Sequence, residues 1–494
     1  LATPFLFEGG QMLLEAGTAF FARGYAAQQD GKNDEAFELY EETLRANPLH
    51  VEAHNNIATI LTNWRRFDEA LIHCSKALDI SPAYAPAHSN MAAALVEMER
   101  PRDALPYCKR ALELLPGNTF ALSNLGVALL KCGRFADAEK ILREALRERP
   151  GNVGMTIDLG LTLLARGEAS EALTLFRTVM DSAHPKAHLA KNNAAFMALM
   201  SGDYKNGWEW YKARFQTAHV QPRMAQIPEW DGEPDPYGHL VVVAEQGLGD
   251  EILYLSMAED LAARFQGRVT WEIDGRLLHM AETTLFSRNL FFTPRSFMDT
   301  PPPEGAGLRI DAGRVGQYMR PSRKAFVNAP TKWLRAGYVN LNGGARRPRV
   351  GISWMSKNPV QGARKTVPLA HWAGMITALT QAGIEVMSLQ YDEPPGLPAS
   401  LVPCPFDARK DLTMFAGAVA NCDHVVTVSN TTAHLAGALG VKTTVLLSSG
   451  MARYWYWGEA GRSDWYPSVE VKRYTDAPDL DAIALDLCAR LKQT

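Results

Sequence analysis

Pro48, Pro82, Pro116 and Pro150 stand 34 residues apart, and Pro185 follows after 35. Ala36, Ala70, Ala104, Ala138 and Ala172 keep the same step, and so do the small residues Gly24, Ala58, Ala92, Gly126 and Gly160. A fixed period of this length, with proline at the end of each unit and two columns of small residues inside it, dictates paired helices that pack closely and then stop. Five such units run from about residue 17 to 185. The stretch SGDYKNGWEWYKARF closes a sixth, with Gly207 in the alanine column.

This is the tetratricopeptide pattern, and it predicts an α-solenoid with a concave face lined by the first helix of each unit. Two positions before the small column stand Asn56, Asn90, Asn124 and Asp158, with Asn193 continuing after the one-residue insertion. A side-chain amide offers both a donor and an acceptor, which suits a peptide backbone. Two readings are open: bonds from helix to helix within the stack, or a ladder gripping an extended acceptor polypeptide. The second resembles the asparagine ladder of the O-GlcNAc transferase superhelix.

Composition narrows the class. The chain has 494 residues, 47% hydrophobic and 21% charged, with a formal net charge of −3. That length allows about three domains, and the charge gives no basic footprint for nucleic acid. No stretch reaches the length of a membrane span. The opening LATPFLFEGG lacks the basic region of a signal peptide, and a start on Leu1 leaves open a segment upstream. Cys74, Cys108, Cys132, Cys404, Cys422 and Cys488 show no metal or redox spacing. They read as free thiols in a reducing compartment, and a cytoplasmic location follows.

After residue 212 the period stops. Repeats are expected over 1–222, a Pro- and Gly-rich linker over 223–237, and α/β lobes over 238–340 and 347–494. Strands are predicted at HLVVVAE, RVTWEID and NLFFT, then at VGISW, IEVMSLQ, HVVTVS and TTVLLS. Short apolar strands alternating with helices mean two parallel sheets, with a cleft between the lobes. Ligands of such sheets bind beyond the carboxyl ends of the strands.

Three strand ends carry candidate chemistry. VSNTTAHLAGALG places Ser429, Asn430, Thr431 and Thr432 at a helix N-terminus, where N–H groups and the helix dipole attract phosphate. Simple N-capping by Asn430 is the competing reading. AEQGLGDEILY supplies Gly247 and Gly249 for a tight turn, with Asp250 in the first turn of a helix. SWMSKNPVQGARKTVPL supplies the cations Lys357, Arg364 and Lys365. Gln390 and Tyr391 end the SLQY strand as candidates for a nucleotide base, and His434 lies one turn into the phosphate helix. The aromatic run Tyr454, Trp455, Tyr456 and Trp457 reads as a wedge between lobes. The Asp-x-Asp at Asp479 and Asp481 reads as a helix cap, so no metal is expected.

Together these stretches resemble the bacterial tetratricopeptide-repeat-fused GT-B glycosyltransferases, related to O-GlcNAc transferase and the heptosyltransferases. The flagellin nonulosonic acid transferases are the nearest relatives suggested. The resemblance covers nearly the whole chain and rests on EQGLGD, GISWMSKNP through RKTVPL, SLQ, VSNTTAHLAGALG and DWYPSVEVKR. It implies a GT-B fold of two Rossmann-like lobes and an inverting, metal-independent protein O-glycosyltransferase without a cofactor. Asp250 would act as base, and Lys365 with Asn430–Thr432 would hold the donor phosphate. The donor would be a CMP- or UDP-linked sugar, such as a pseudaminic-type acid. The acceptor would be Ser or Thr of a protein bound by the repeats, such as flagellin. Many fused relatives carry Asp-Thr where this chain has Asn430 and Thr431, and the histidine of the O-GlcNAc transferase amino lobe has no counterpart. Two rivals remain: a repeat scaffold with an inactive GT-B domain, and a transferase acting on lipid or polysaccharide. The sequence leaves the donor, the acceptor and the oligomeric state open.

Overall fold

The structure is a computed structural model that describes residues 5–216, 223–295, 301–341, 347–357, 362–391, 398–448, 454–458, 461–475 and 477–491, apart from the side chains of 5–14, 363 and 364. The chain divides into two compact units, residues 1–179 and 180–494.

The first unit is helical. Its hairpins pair α1 (Phe5–Gln29) with α2 (Asn33–Ala46), α3 (Val51–Asn63) with α4 (Phe67–Ile80), and α5 (Ala85–Glu97) with α6 (Pro101–Leu114). They continue with α7 (Thr119–Lys131) and α8 (Phe135–Glu148), then α9 (Val153–Ala165) and α10 (Ala169–Val179). The prolines fall just past the second helix of each pair, where a missing N–H costs nothing. Small residues are there because helices touch. A Cβ on Gly126 would stand 2.6 Å from Leu142, and one on Gly160 would stand 2.6 Å from Phe176. The alanine column is fully buried, as are Cys74 and Cys108, whose thiols burial pushes up to about 12. All six cysteines are free.

The second unit begins with one more hairpin, α11 (Ala187–Ser201) and α12 (Tyr204–Tyr211), and a 3-10 turn, Lys212–Gln216. The segment expected to be a linker is packed structure. Trp230 is buried, its backbone N–H donates to Arg309 O (2.8 Å), and Arg223 pairs with Glu272 at 2.9 Å. The first sheet follows: β1 (Asp235–Val243), α13 (Leu248–Leu255), α14 (Ala258–Phe265), β2 (Gln266–Ile273), α15 (Leu278–Thr284), β3 (Leu290–Pro294), β4 (Leu308–Asp311) and α16 (Gly316–Met319). Its strands are parallel in the order β3-β2-β1-β4.

The second sheet holds β5 (Arg349–Ser353), α17 (Gly362–Lys365), α18 (Leu369–Gln381), β6 (Glu385–Ser388), β7 (Leu401–Pro403), α19 (Leu412–Ala420), β8 (His424–Val428), α20 (Thr431–Ala438), β9 (Thr443–Ser448), β10 (Val469–Tyr474) and α21 (Leu480–Leu491). Its order, β10-β9-β8-β5-β6-β7, is parallel throughout. Counted from β5, this is the doubly wound order 3-2-1-4-5-6, whose winding reverses between β5 and β8. Every residue of β5 and β8 is buried, as sheets covered on both faces require.

The two sheets meet at their strand-end helices. Trp333 spans them: its indole N–H donates to Ile252 O on α13 (2.8 Å) and its backbone N–H to Ala438 O on α20 (3.0 Å). Trp208 of α12 is the second wedge. It donates to Arg320 O (2.9 Å), covers Gly316, and stacks edge-on with Trp455 at 5.4 Å and Trp465 at 6.3 Å. Trp455, Tyr456 and Trp457 are all buried in this seam. Among the described residues no helix is long and apolar enough to cross a membrane.

Candidate functional site

The reversal point of the second sheet is built by Ser353, Asn430 and Gln390. Asn430 caps α20 by accepting from Ala433 N (3.2 Å) and takes a second bond from Thr427 Oγ1 (3.1 Å). Its amide N–H groups donate to Ser353 Oγ (2.8 Å) and Met355 O (3.2 Å). Ser353 in turn donates to Gln390 Oε1 (3.1 Å), which also accepts from Met355 N (3.1 Å). That backbone donor fixes the Gln390 amide, because only an oxygen can face it. Gln390 Nε2 is thereby left buried and without a partner among the described residues. A buried unpaired donor is costly unless something supplies an acceptor.

The amide of Asn430 is therefore spent within the protein, so the capping reading holds for its side chain. Ser429 is likewise engaged, accepting from Trp457 Nε1 (2.9 Å). Thr432 is buried and Thr431 is partly exposed at the helix start. What this turn can still offer a ligand is Thr431 and the first N–H groups of α20.

Asp250 comes from the other sheet. A four-residue loop joins β1 to α13, and its left-handed residue is Gln246 (φ 64°), not the expected Gly247 (φ −101°); Asp250 accepts from Gly247 N (3.3 Å) in the capping position. Burial raises the Asp250 carboxyl to about 6, against the opposing pull of the Gly247 N–H and the Lys365 charge, while Glu245 adds to the rise. Lys365 therefore lies within electrostatic reach of Asp250. Its ammonium sits 3.8 Å from the centroid of the Tyr454 ring. His434 is enclosed by Gly249, Tyr456, Trp457 and Tyr466, with Nδ1 bonded to Tyr466 Oη at 2.7 Å. Burial, then the charge of Lys365, hold its imidazole down at about 3. It is neutral at physiological pH.

Asp250, Lys365 and His434 thus come together with the N-terminus of α20. Tyr391 lies under the guanidinium of Arg409 at 5.8 Å. Lys357 is exposed. The side chain of Arg364 lies outside the described residues. Asp479 accepts from Ala482 N (2.9 Å), the cap expected of it. Among the described residues no group of three or more His, Cys, Asp or Glu is placed to hold a metal.

The asparagine row needs a correction. Asn90 donates to Asn55 Oδ1 and Thr59 Oγ1, both at 2.9 Å, and Asn124 donates to Ser89 O (3.0 Å) and Ser89 Oγ (3.3 Å). Asn56 donates to Tyr40 Oη (3.0 Å) and accepts from Asn55 Nδ2 (3.2 Å). Asn193 turns back to Leu189 O (2.8 Å) on its own helix. Asp158 continues the row on α9, partly exposed. At Asn90 and Asn124 the neighbouring first helices lie close enough for the amide to bond across them. What Asn90 and Asn124 still offer is a side-chain oxygen. A signal for this stood in the sequence: Asn55, Ser89 and Ser123 form a polar column one residue before the row. Sequence reasoning also gave no role to Glu245, Ser353, Arg214 or Tyr466.

Helical repeats joined to doubly wound parallel sheets define the class. The tetratricopeptide repeat family matches residues 21–85, and again 95–145 and 133–193, so the chain carries tetratricopeptide repeats, modules that bind other proteins. Protein FlbA of Caulobacter vibrioides is 26% identical over 315 residues, which cover 56% of this chain and 50% of that protein. The chain thus spans about half the length of this curated relative. Among solved structures, a thermophilic TPR protein of Thermus thermophilus is 22% identical, with a TM-score of 0.34, over 37% of this chain and 100% of its own. MamA of Desulfovibrio magneticus is 19% identical, with a TM-score of 0.30, over 34% of this chain and 94% of its own.

Proposed function

We propose that this chain is a GT-B-type, inverting, metal-independent glycosyltransferase that moves a sugar from a nucleotide-sugar donor to Ser or Thr of a protein bound by its repeats. The observation that carries the reading is the meeting of Asp250 and Lys365 at the N-terminus of α20. A carboxylate poised near pH 6 is suited to take the proton of an attacking hydroxyl, a contribution of about 10²–10⁴-fold in rate. Lys365, Thr431 and the first N–H groups of α20 offer positive potential to a departing phosphate. Gln390 Nε2 supplies a donor for an acceptor atom of the nucleotide. The resemblance noted in the sequence implies a CMP- or UDP-linked donor and flagellin as one acceptor.

The test is direct. Purified chain is incubated with a panel of CMP- and UDP-linked sugars, with and without flagellin, and nucleotide release and flagellin mass are followed. Mass gain on flagellin with Asp250-dependent nucleotide release supports the reading. No release with any donor, and no thermal shift with CMP or UDP, would sink it.

A second reading draws on the spent amide of Asn430 and the engaged Ser429. With those groups turned inward, the α/β region is an inert platform and the repeats are the working part. The same thermal-shift experiment separates the two.

A further inference from the structure

The reversal point of the first sheet, between the carboxyl ends of β1 and β4, is filled by the protein itself. Glu245, two residues beyond β1, accepts from Gly313 N (2.6 Å) just beyond β4. The same carboxylate receives both arms of Arg214: Nε to Oε2 at 3.0 Å and Nη2 to Oε1 at 2.7 Å. Arg214 belongs to the turn that extends the last repeat hairpin. It is 8% exposed and lies between the rings of Tyr211 (4.2 Å) and Phe215 (4.1 Å). Its remaining arm donates to Tyr211 O (2.8 Å). Gln246, beside Glu245, donates to Tyr211 Oη (2.5 Å). Two residues later the same loop enters α13 at Leu248, with Asp250 in the first turn.

We propose that Arg214 is a positioning residue for Asp250: by pairing Glu245 it anchors the strand-end loop that carries Asp250 and offsets the second negative charge acting there. The terminal repeat hairpin is then a component of the reaction centre, not only a docking element. This rests on the reading of Asp250 as the base.

Among the described residues, several charged and titratable groups face Asp250 from the elements around it. Lys365 on α17 pulls its carboxyl down, Glu245 on the β1 extension pushes it up, and His434 on α20 is neutral. Tyr254 on its own helix, and Tyr456 and Tyr466 from the second sheet, are kept protonated by burial first. Glu245 is therefore the negative charge whose partner can be removed without touching Asp250. Unpaired, it should make Asp250 hold its proton more tightly.

The experiment needs no substrate. Unfolding midpoints are measured from about pH 4.5 to 8.5, an interval that brackets the carboxyl, for the wild-type chain, Arg214→Met, Glu245→Gln and the double variant, each with and without Asp250→Asn. A raised carboxyl costs stability as pH climbs through its folded value, so Asp250→Asn gains on its parent over that interval. The gain ramps from the unfolded carboxyl's pKa to the folded one's, so the pH at which it levels off reads folded Asp250. Arg214→Met should move it up by about half a unit, roughly threefold in proton affinity, Glu245→Gln should move it down, and the double variant should follow Glu245→Gln. Levelling points that coincide in all four backgrounds overturn the proposal, and if Arg214→Met does not fold, Glu245→Gln decides alone. The base reading fails separately. It is lost if Asp250→Asn keeps full nucleotide release while the levelling points move, whereas fixed levelling points with abolished release condemn only the coupling.

Discussion

Gly249 on α13 is seated against the imidazole of His434 on α20: a Cβ there would stand 2.7 Å from Cδ2 and 3.1 Å from Nε2. The two strand-end helices can approach this closely because one residue has no side chain. Gly249→Ala should force them apart, costing about 1–3 kcal/mol by overpacking. Its unfolding midpoint should fall, and a midpoint unchanged from wild type would show that the helices have room to spare.

Asn430→Asp tests the cap. The change keeps the acceptor toward Ala433 N but turns the donor facing Met355 O into another oxygen. We expect a loss of about 1–3 kcal/mol, the usual cost of an unsatisfied buried group. Denaturant titration should show it. Equal stability of the two proteins would mean that Asp is tolerated here.

How much of this was legible beforehand varied with the physics involved. The strand TTVLLS has its ends where β9 has them, because a buried parallel strand reads as an unbroken apolar run. β4, β7 and β10 were missed. β4 is four residues long and includes Arg309 and Asp311, paired with each other at 3.1 Å, so its charges hide a buried strand. β7 and β10 are edges, one three residues long and one reading VEVKRY. At the site, Asp250, Lys365 and the α20 turn were visible because glycine, cation and cap chemistry sit in short motifs. The Arg214–Glu245 pair was not. Its members are 31 residues apart, in a repeat and in a strand end, and only the tertiary fold joins them.

Asn90→Ala should act first on stability. Its amide links α5 to α3, so about 1 kcal/mol should be lost from the array. Comparing the change in unfolding free energy with the change in affinity for an extended peptide checks the row's role. A large loss of affinity at unchanged stability would restore the peptide-gripping interpretation.

The array should weaken in acid. His54 and His73 share a bond between their Nδ1 atoms at 3.1 Å. Burial, then the charges of His54 and Lys76, hold His73 down at about 4. The unfolded chain binds a proton that the native array refuses, so stability present above about pH 6.5 is lost as pH falls toward 4, by at most about 3 kcal/mol. Replacing His73 with Gln should flatten that slope, measured by helical circular dichroism across the pH series.

Trp208→Ala should cost about 3–5 kcal/mol, since the ring fills the seam shared by Gly316, Trp455 and Trp465. A clean loss of one cooperative transition is expected in calorimetry. Two separated transitions, one at the wild-type temperature, would show that the seam is not shared.

The place where the compact units divide has a consequence for how such chains diversify. Hairpins upstream of Met180 form a compact unit of their own, so evolution or an engineer can lengthen, shorten or trade them like cars of a train. The hairpin after it is the locomotive's coupling: exchanging it would carry away Trp208 and Arg214 and dismantle the engine. The natural splice point for grafting new specificity therefore lies one repeat earlier than the periodic pattern alone would suggest.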